Sequence, residues 1–155
     1  MPIALYQPEI PQNVGTTLRT CACFQTKAHI INPCGFVLKS PRMQRALMDY
    51  EEHVSYQEHQ NWDSFLENTH GQRIVLLDVK GHTPFHQFDF QPTDIILAGK
   101  ESTGVPDSIF QSLPHSVHIP MAKNTRSLNV AVAVGIVLSA QLCYSNEFDF
   151  DNAAF

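Results

Sequence analysis

Positive charge is scarce in this sequence. Ten Lys and Arg are set against fifteen Asp and Glu, a net charge of −5 with the histidines neutral. That balance excludes a protein that coats nucleic acid through a general basic field, although a local basic patch remains compatible with it. Long apolar runs are also missing. The longest, Leu128–Leu138, is broken by Asn129 and Gly135, whereas a membrane-spanning helix takes about 20 apolar residues. The opening Met-Pro-Ile-Ala-Leu-Tyr has no basic stretch ahead of an apolar one, so no secretory signal is read there. Cysteine is sparse, and Cys21, Cys23, Cys34 and Cys143 make no disulfide framework in a chain of 155 residues. A reduced, cytoplasmic protein is expected. Two nucleotide fingerprints are absent: no Gly-x-Gly-x-x-Gly follows a strand and there is no Walker loop, which argues against a nicotinamide enzyme or an NTPase. His82 with His86, and Cys21 with Cys23, bring no remaining ligands, so no metal site is expected.

What is present alternates. Pro2–Tyr6, Ala28–Ile31, Arg73–Leu77, Asp94–Gly99 and Ser116–Ile119 read as strands, with Val54–Tyr56 as a weaker one. Several are continuous apolar runs, the pattern of strands buried on both faces. Helices are expected over Pro11–Phe24 with Asn13 as its cap, from Ser40 or Pro41 through Leu47, over Trp62–Leu66 and Pro106–Leu113, and from Ser127 to Tyr144. His29, inside a strand, reads as a hydrogen-bonded structural histidine. The acidic tail, Ser145–Phe155, has no periodicity and is expected to lie loosely on the surface. The whole chain, 1–155, is expected to form one α/β domain, a mainly parallel sheet with helices on both faces. Ligands in such sheets sit beyond the carboxyl ends of the strands, which points to the loops after Leu77, Gly99 and Ile119.

Three segments stand out: Pro8–Arg19, Leu97–Pro106, and Ile119-Pro120-Met121 followed by Thr125–Ala131. Each has an ordinary explanation when taken singly. Asn13 could be only a cap, Gly99 and Gly104 only turn glycines. Lys39, Arg42 and Arg45, and likewise Lys123 and Arg126, could be solvated surface. In this order and spacing, however, the segments resemble the SPOUT superfamily of RNA methyltransferases, in its small ribose 2′-O-methyltransferase branch. Asn13…Arg19 is similar to the first family motif, Gly99-x-Glu101-x-x-Gly104 to the second, and Ile119-Pro120-Met121…Ser127-Leu128-Asn129 to the third. The length, and Arg45-Ala46-x-x-Asp49-Tyr50, resemble the subgroup that methylates the wobble nucleotide of tRNA (position 34, cytidine or uridine) in leucine isoacceptors.

The resemblance implies S-adenosylmethionine as methyl donor, a homodimer with tRNA as partner, and a deep trefoil knot near the C-terminus. It places cofactor contacts at Leu77, Gly99, Gly104, Ile119, Met121, Ser127 and Leu128, with the glycines free of side chains that would block the adenine. It makes Arg19 the residue that activates the 2′-hydroxyl, with Asn13, Glu101 and Asn129 orienting Arg19 and the ribose. A guanidinium keeps its proton, so a donor that stabilises the developing alkoxide is easier than a free base. Lys39, Arg42, Arg45 and Arg126 are the candidate RNA contacts. The pattern departs from its relatives at Ser139, where they often carry a tyrosine. Two other readings stay open: 2′-O-methylation at another tRNA position or in rRNA, and a flavodoxin-like nucleotide-binding module. The start at the first strand, without an RNA-binding extension, favours a compact tRNA; Gln7–Gln12 does not look like a flavin phosphate loop.

Overall fold

The structure, a computed structural model, describes residues 1–50 and 52–145, and the side chains of all of these but Tyr144 and Ser145. The expected loose tail lies, beyond Ser145, outside the described residues. Along the chain come β1 (Ile3–Tyr6), α1 (Pro11–Cys23), β2 (Ala28–Ile31), α2 (Pro41–Leu47), β3 (Tyr56–His59), α3 (Trp62–Asn68), β4 (Ile74–Leu77), β5 (Thr83–Pro84), β6 (Ile95–Ala98), α4 (Asp107–Ser112), β7 (His115–His118) and α5 (Val130–Ser145). The strands form one seven-stranded sheet in the order β3-β2-β1-β6-β4-β7-β5, and every pairing is parallel.

The apolar runs explain the layers. All residues of β1, β2, β4 and β6 are buried, and their side chains alternate between two cores. Ile3, Leu5, Val75, Leu77, Ile96 and Ala98 pack with Val14 and Leu18 of α1 and Val134, Val137 and Leu138 of α5. Ala4, Tyr6, Leu76 and Leu97 face the other way, onto Phe65 of α3 and Ile109 of α4. A strand with a helix layer on each side has no face that needs polar residues, hence the unbroken runs. Arg73 and Asp94 join the starts of β4 and β6 by a two-pronged ion pair, with Nε–Oδ1 and Nη2–Oδ2 both at 2.7 Å and Asp94 fully buried. A paired, hydrogen-bonded carboxylate is the form in which a charge tolerates burial.

Four expectations need correction. Asn13 does not cap α1: Ile10 occupies the cap position and no side chain serves there. The last helix begins at Val130, three residues after Ser127. Its cap is Asn129, whose Oδ1 accepts from the amides of Ala131 at 2.9 Å and Val132 at 3.4 Å. The weak strand runs Tyr56–His59, starting where Val54–Tyr56 was expected to end; it is an edge strand with Gln57 and Glu58 exposed, so apolar content could not mark it. β7 covers His115–His118, one residue earlier than expected, and the two-residue β5 had no sequence signal.

α1 and α2 meet at Gly15. A Cβ there would lie 2.6 Å from both the Cβ and the carbonyl oxygen of Ala46. Alanine in place of glycine ordinarily gains about 0.5–1 kcal/mol inside a helix. Overpacking against an unyielding backbone costs about 1–3 kcal/mol and wins here. Gly15→Ala is therefore expected to lower the urea midpoint, with the slope unchanged.

On the opposite side of β2, His29 Nδ1 and His59 Nε2 are 2.9 Å apart, both residues are buried, and Phe65 presents its edge to each ring. The structural reading of His29 matches this packing. Burial pushes His29 from 6.5 down to about 4 and also lowers His59. In the window from 6.5 down to about 4 the unfolded chain therefore binds more protons than the folded one. Stability is complete above that window and is lost as pH falls through it. Urea midpoints at pH 7, 6 and 5 are expected to fall stepwise, and less steeply in His29→Gln.

Candidate active site

Parallel strands end together, so the loops after β4, β6 and β7 open on one side of the sheet. There they enclose a cavity of about 740 Å³, within the range of small-molecule sites. Leu77, Gly99, Gly104, Ile119, Met121, Ser127 and Leu128 all line it, with Asp78 and Asp107 adding carboxylates. The 121–129 loop, which carries three of these residues, is exposed along its whole length.

The glycines serve a tighter purpose than keeping space for a ligand. Lys100 N donates to Gly104 O at 3.1 Å and Gly104 N to Lys100 O at 2.9 Å, closing a small turn. A Cβ on Gly99 would lie 2.6 Å from Gly104 Cα. Gly104 itself has φ +69°, the left-handed region that glycine adopts without strain. The space over Gly99 is thus filled by the turn's own backbone, and a side chain there opens the turn before it meets any ligand.

Three distant segments are joined by one polar chain. Asn129 Nδ2 donates to Asn13 Oδ1 at 2.8 Å, and Asn13 Nδ2 donates to Glu101 Oε1 at 3.0 Å. Glu101 Oε2 accepts the backbone amide of Glu9 at 2.8 Å, and Glu9 Oε2 accepts that of Ser102 at 3.0 Å. Asn13, Glu101 and Asn129 all line the cavity, and both Glu101 oxygens are committed. Glu9 was not singled out from sequence; its signal lay in a side chain able to accept from the second motif, which spacing alone does not reveal.

Arg19 is elsewhere. It does not line the cavity, and its guanidinium donates to the sulfur of Met48. Within this chain Asn13 bonds to Glu101 and Asn129, while the guanidinium of Arg19 lies against Met48. Six residues along an α-helix is about 9 Å of rise and a turn to a different face, so Asn13 and Arg19 cannot converge. Lys39, Arg42, Arg45 and Arg126 are all exposed and none lines the cavity. Ser139 is half-buried in α5 and stands outside the cavity. The loop after β1 has spent amides, with Gln7 N bound to Ile31 O and Glu9 N to Glu101. Among the described residues no three His, Cys, Asp or Glu side chains gather as a metal site, and no helix is long and apolar enough to cross a membrane.

Residues 1–139 match the model of the SpoU rRNA Methylase family. The chain belongs to that family. This SpoU methylase chain is 45% identical over 142 residues to the tRNA (cytidine(34)-2′-O)-methyltransferase of Beijerinckia indica subsp. indica, covering 90% of this chain and 89% of that protein. It superposes with a TM-score of 0.88 and 37% identity on a protein solved for structural insights into the 2-OH methylation of C/U34 on tRNA, covering 94% of this chain and 97% of that one. The methyltransferase AviRb of Streptomyces viridochromogenes, solved in complex with the cofactor AdoMet, shares the fold with a TM-score of 0.83 at 20% identity, covering 96% of this chain and 61% of its own.

The polar chain of this SpoU methylase has a direct test. Asn13→Asp keeps the size of the side chain but replaces the donor facing Glu101 by a second carboxylate oxygen. It is expected to cost about 1–3 kcal/mol, the range for a broken, partly buried hydrogen bond. Thermal unfolding would show the loss, and it should exceed that of Asn68→Asp on the exposed face of α3.

Proposed function

We propose that this protein transfers the methyl group of S-adenosylmethionine to the ribose 2′-hydroxyl of nucleotide 34, cytidine or uridine, of cytoplasmic tRNA, leucine isoacceptors among them. The observation that carries the reading is the Asn129–Asn13–Glu101 chain at the rim of a glycine-turn cavity, in a SpoU-family chain whose relatives are named for this reaction.

The residues present fit the donor. Leu77, Ile119 and Leu128 offer apolar surface to an adenine ring, the turn backbone offers polar atoms, and Asp78 and Asp107 offer negative charge to a cationic group. When bound, the donor supplies an electrophilic methyl on a sulfonium. The chain's own part is to hold that cavity in shape, present the ribose, and stabilise negative charge on the 2′-oxygen as its proton departs. Arg19 suits the last task, since a planar guanidinium can grip a phosphate and a developing oxyanion together.

Because Arg19 is remote from its own cavity, the reading includes a homodimer in which the partner subunit's Arg19 completes the site. Support comes from α5. Val132 and Ile136, one turn apart, are 50% and 38% exposed, and nothing lies within 4 Å of a Cβ on Gly135 beside them. An apolar helix face with a glycine notch suits close approach of a second helix. Arg42 and Arg45 of α2, with Lys39 and Arg126, then supply a bounded basic surface for RNA.

The reading also takes 1–155 as one SPOUT domain with a deep trefoil knot. β7 lies between β4 and β5, so the 78–82 connection spans it, with Asp78 N donating to Val117 O at 3.0 Å and Gly81 pressed on the Val117 carbonyl. The chain then returns past this crossing to α5, which packs on α1 and β6.

Mass spectrometry of tRNA from cells lacking this protein tests the substrate: 2′-O-methylation at nucleotide 34 should disappear, and its persistence would refute the reading. Arg19→Ala is expected to lower kcat by at least about 10²-fold, as for loss of a group that stabilises transition-state charge, while donor affinity by calorimetry stays near that of the parent. Arg19→Lys should be nearly as poor.

A further inference from the structure

We infer that Glu9 is a positioning residue for the methyl transfer proposed above: its carboxylate latches the 100–104 turn to the loop after β1 by accepting the amide of Ser102.

The grip is reciprocal. The Glu9 amide donates to Glu101 Oε2 at 2.8 Å, and the Glu9 carboxylate accepts from the Ser102 amide at 3.0 Å. One residue therefore holds two consecutive residues of the turn, one through its backbone and one through its side chain. Glu101 is the member of that turn that binds Asn13, and through it Asn129. Ser102 and Thr103 line the cavity, whereas Glu9 does not. Glu9 thus acts on the site only through the turn.

Its own position is fixed from behind. Gly35 N donates to Pro8 O at 2.9 Å, and a Cβ on Gly35 would lie 3.0 Å from Glu9 Cα. The loop after β2 closes on Glu9 with no room to spare, so the latch cannot retreat without moving that loop as well. The Ser102 hydrogen bonds, with the charge of Lys100 nearby, hold the Glu9 carboxyl below its ordinary range, and it meets Ser102 as a carboxylate. A charged acceptor makes the stronger bond to a backbone amide.

The Glu9–Ser102 bond is solvent-exposed, and exposed polar contacts add little to global stability. Its loss should therefore be read in the turn and in turnover, not in unfolding. The experiment compares Glu9→Ala, which removes the acceptor, with Glu9→Gln, whose side-chain oxygen can still accept from Ser102. Four readouts are taken on the full chain: amide exchange at Ser102, kcat on tRNA, donor affinity by calorimetry, and thermal midpoint.

In Glu9→Ala, Ser102 should exchange faster and kcat should fall on the order of tenfold, the effect of one charge-assisted hydrogen bond on a barrier. The thermal midpoint should stay that of the parent. In Glu9→Gln, Ser102 protection should return and kcat should recover to within about threefold. Unchanged Ser102 exchange in Glu9→Ala overturns the latch, and unchanged kcat overturns its role in positioning. A Glu9→Gln variant as impaired as Glu9→Ala overturns the acceptor argument. A parent protein inactive on nucleotide 34 counts against the proposed substrate instead, and the Ser102 exchange comparison still decides the latch.

Discussion

Glu101 has no spare oxygen. One is taken by the backbone of the loop after β1 and the other by the side chain of Asn13, which reaches on to the cap of α5. The rest of the site depends on this arrangement, and sheet polarity makes it attainable. β1 and β6 are neighbours in a parallel sheet, so the loops that follow them leave from the same edge side by side. α5 then starts above both. The value of Glu101 is to fix the distance between segments 88 and 92 residues apart in sequence.

Much of this was legible in the sequence, for specific reasons. Ile74–Leu77 and Ile95–Ala98 announce themselves because strands covered on both faces have no polar positions to break the run. The seven expected cofactor positions came from the resemblance of the three motifs to the SPOUT family, and all seven line the cavity, with Gly99 and Gly104 where a strand run ends in a tight turn. Asn13 was misjudged as a cap because a cap is a local event, and sequence spacing reports local events. Its actual partners are Glu101 and Asn129, visible only after folding. Ser127 and Leu128 read as helix because apolar residues follow them, yet they lie in an exposed loop and Asn129 opens the helix. β3 is read two residues too early and β5 carries no signal, because edge strands need no apolar content.

Charge follows a similar division of labour. The molecule is acidic overall, and its cations are few but mostly exposed. Arg42 and Arg45 stand on a short helix that is pressed against α1 at Gly15 and Ala46, so their positions are set by a backbone contact and not by flexible surface. A few well-placed cations can orient a polyanion without the indiscriminate attraction of a basic protein.

The register of the sheet also bears on how such a chain is made. Ile3 pairs with Ile96, and Ala4 with Leu97, across most of the chain length. During synthesis β1 emerges first and finds β2 soon after, but its other edge stays open until β6 has left the ribosome. For that interval the nascent chain carries an apolar strand with a row of unsatisfied amides and carbonyls, the form most prone to pair with a neighbour's strand. Ladders of such high sequence separation also form slowly. The feature that gathers the active-site loops at one edge thus makes the young chain dependent on dilution or on chaperones until its second half has been translated.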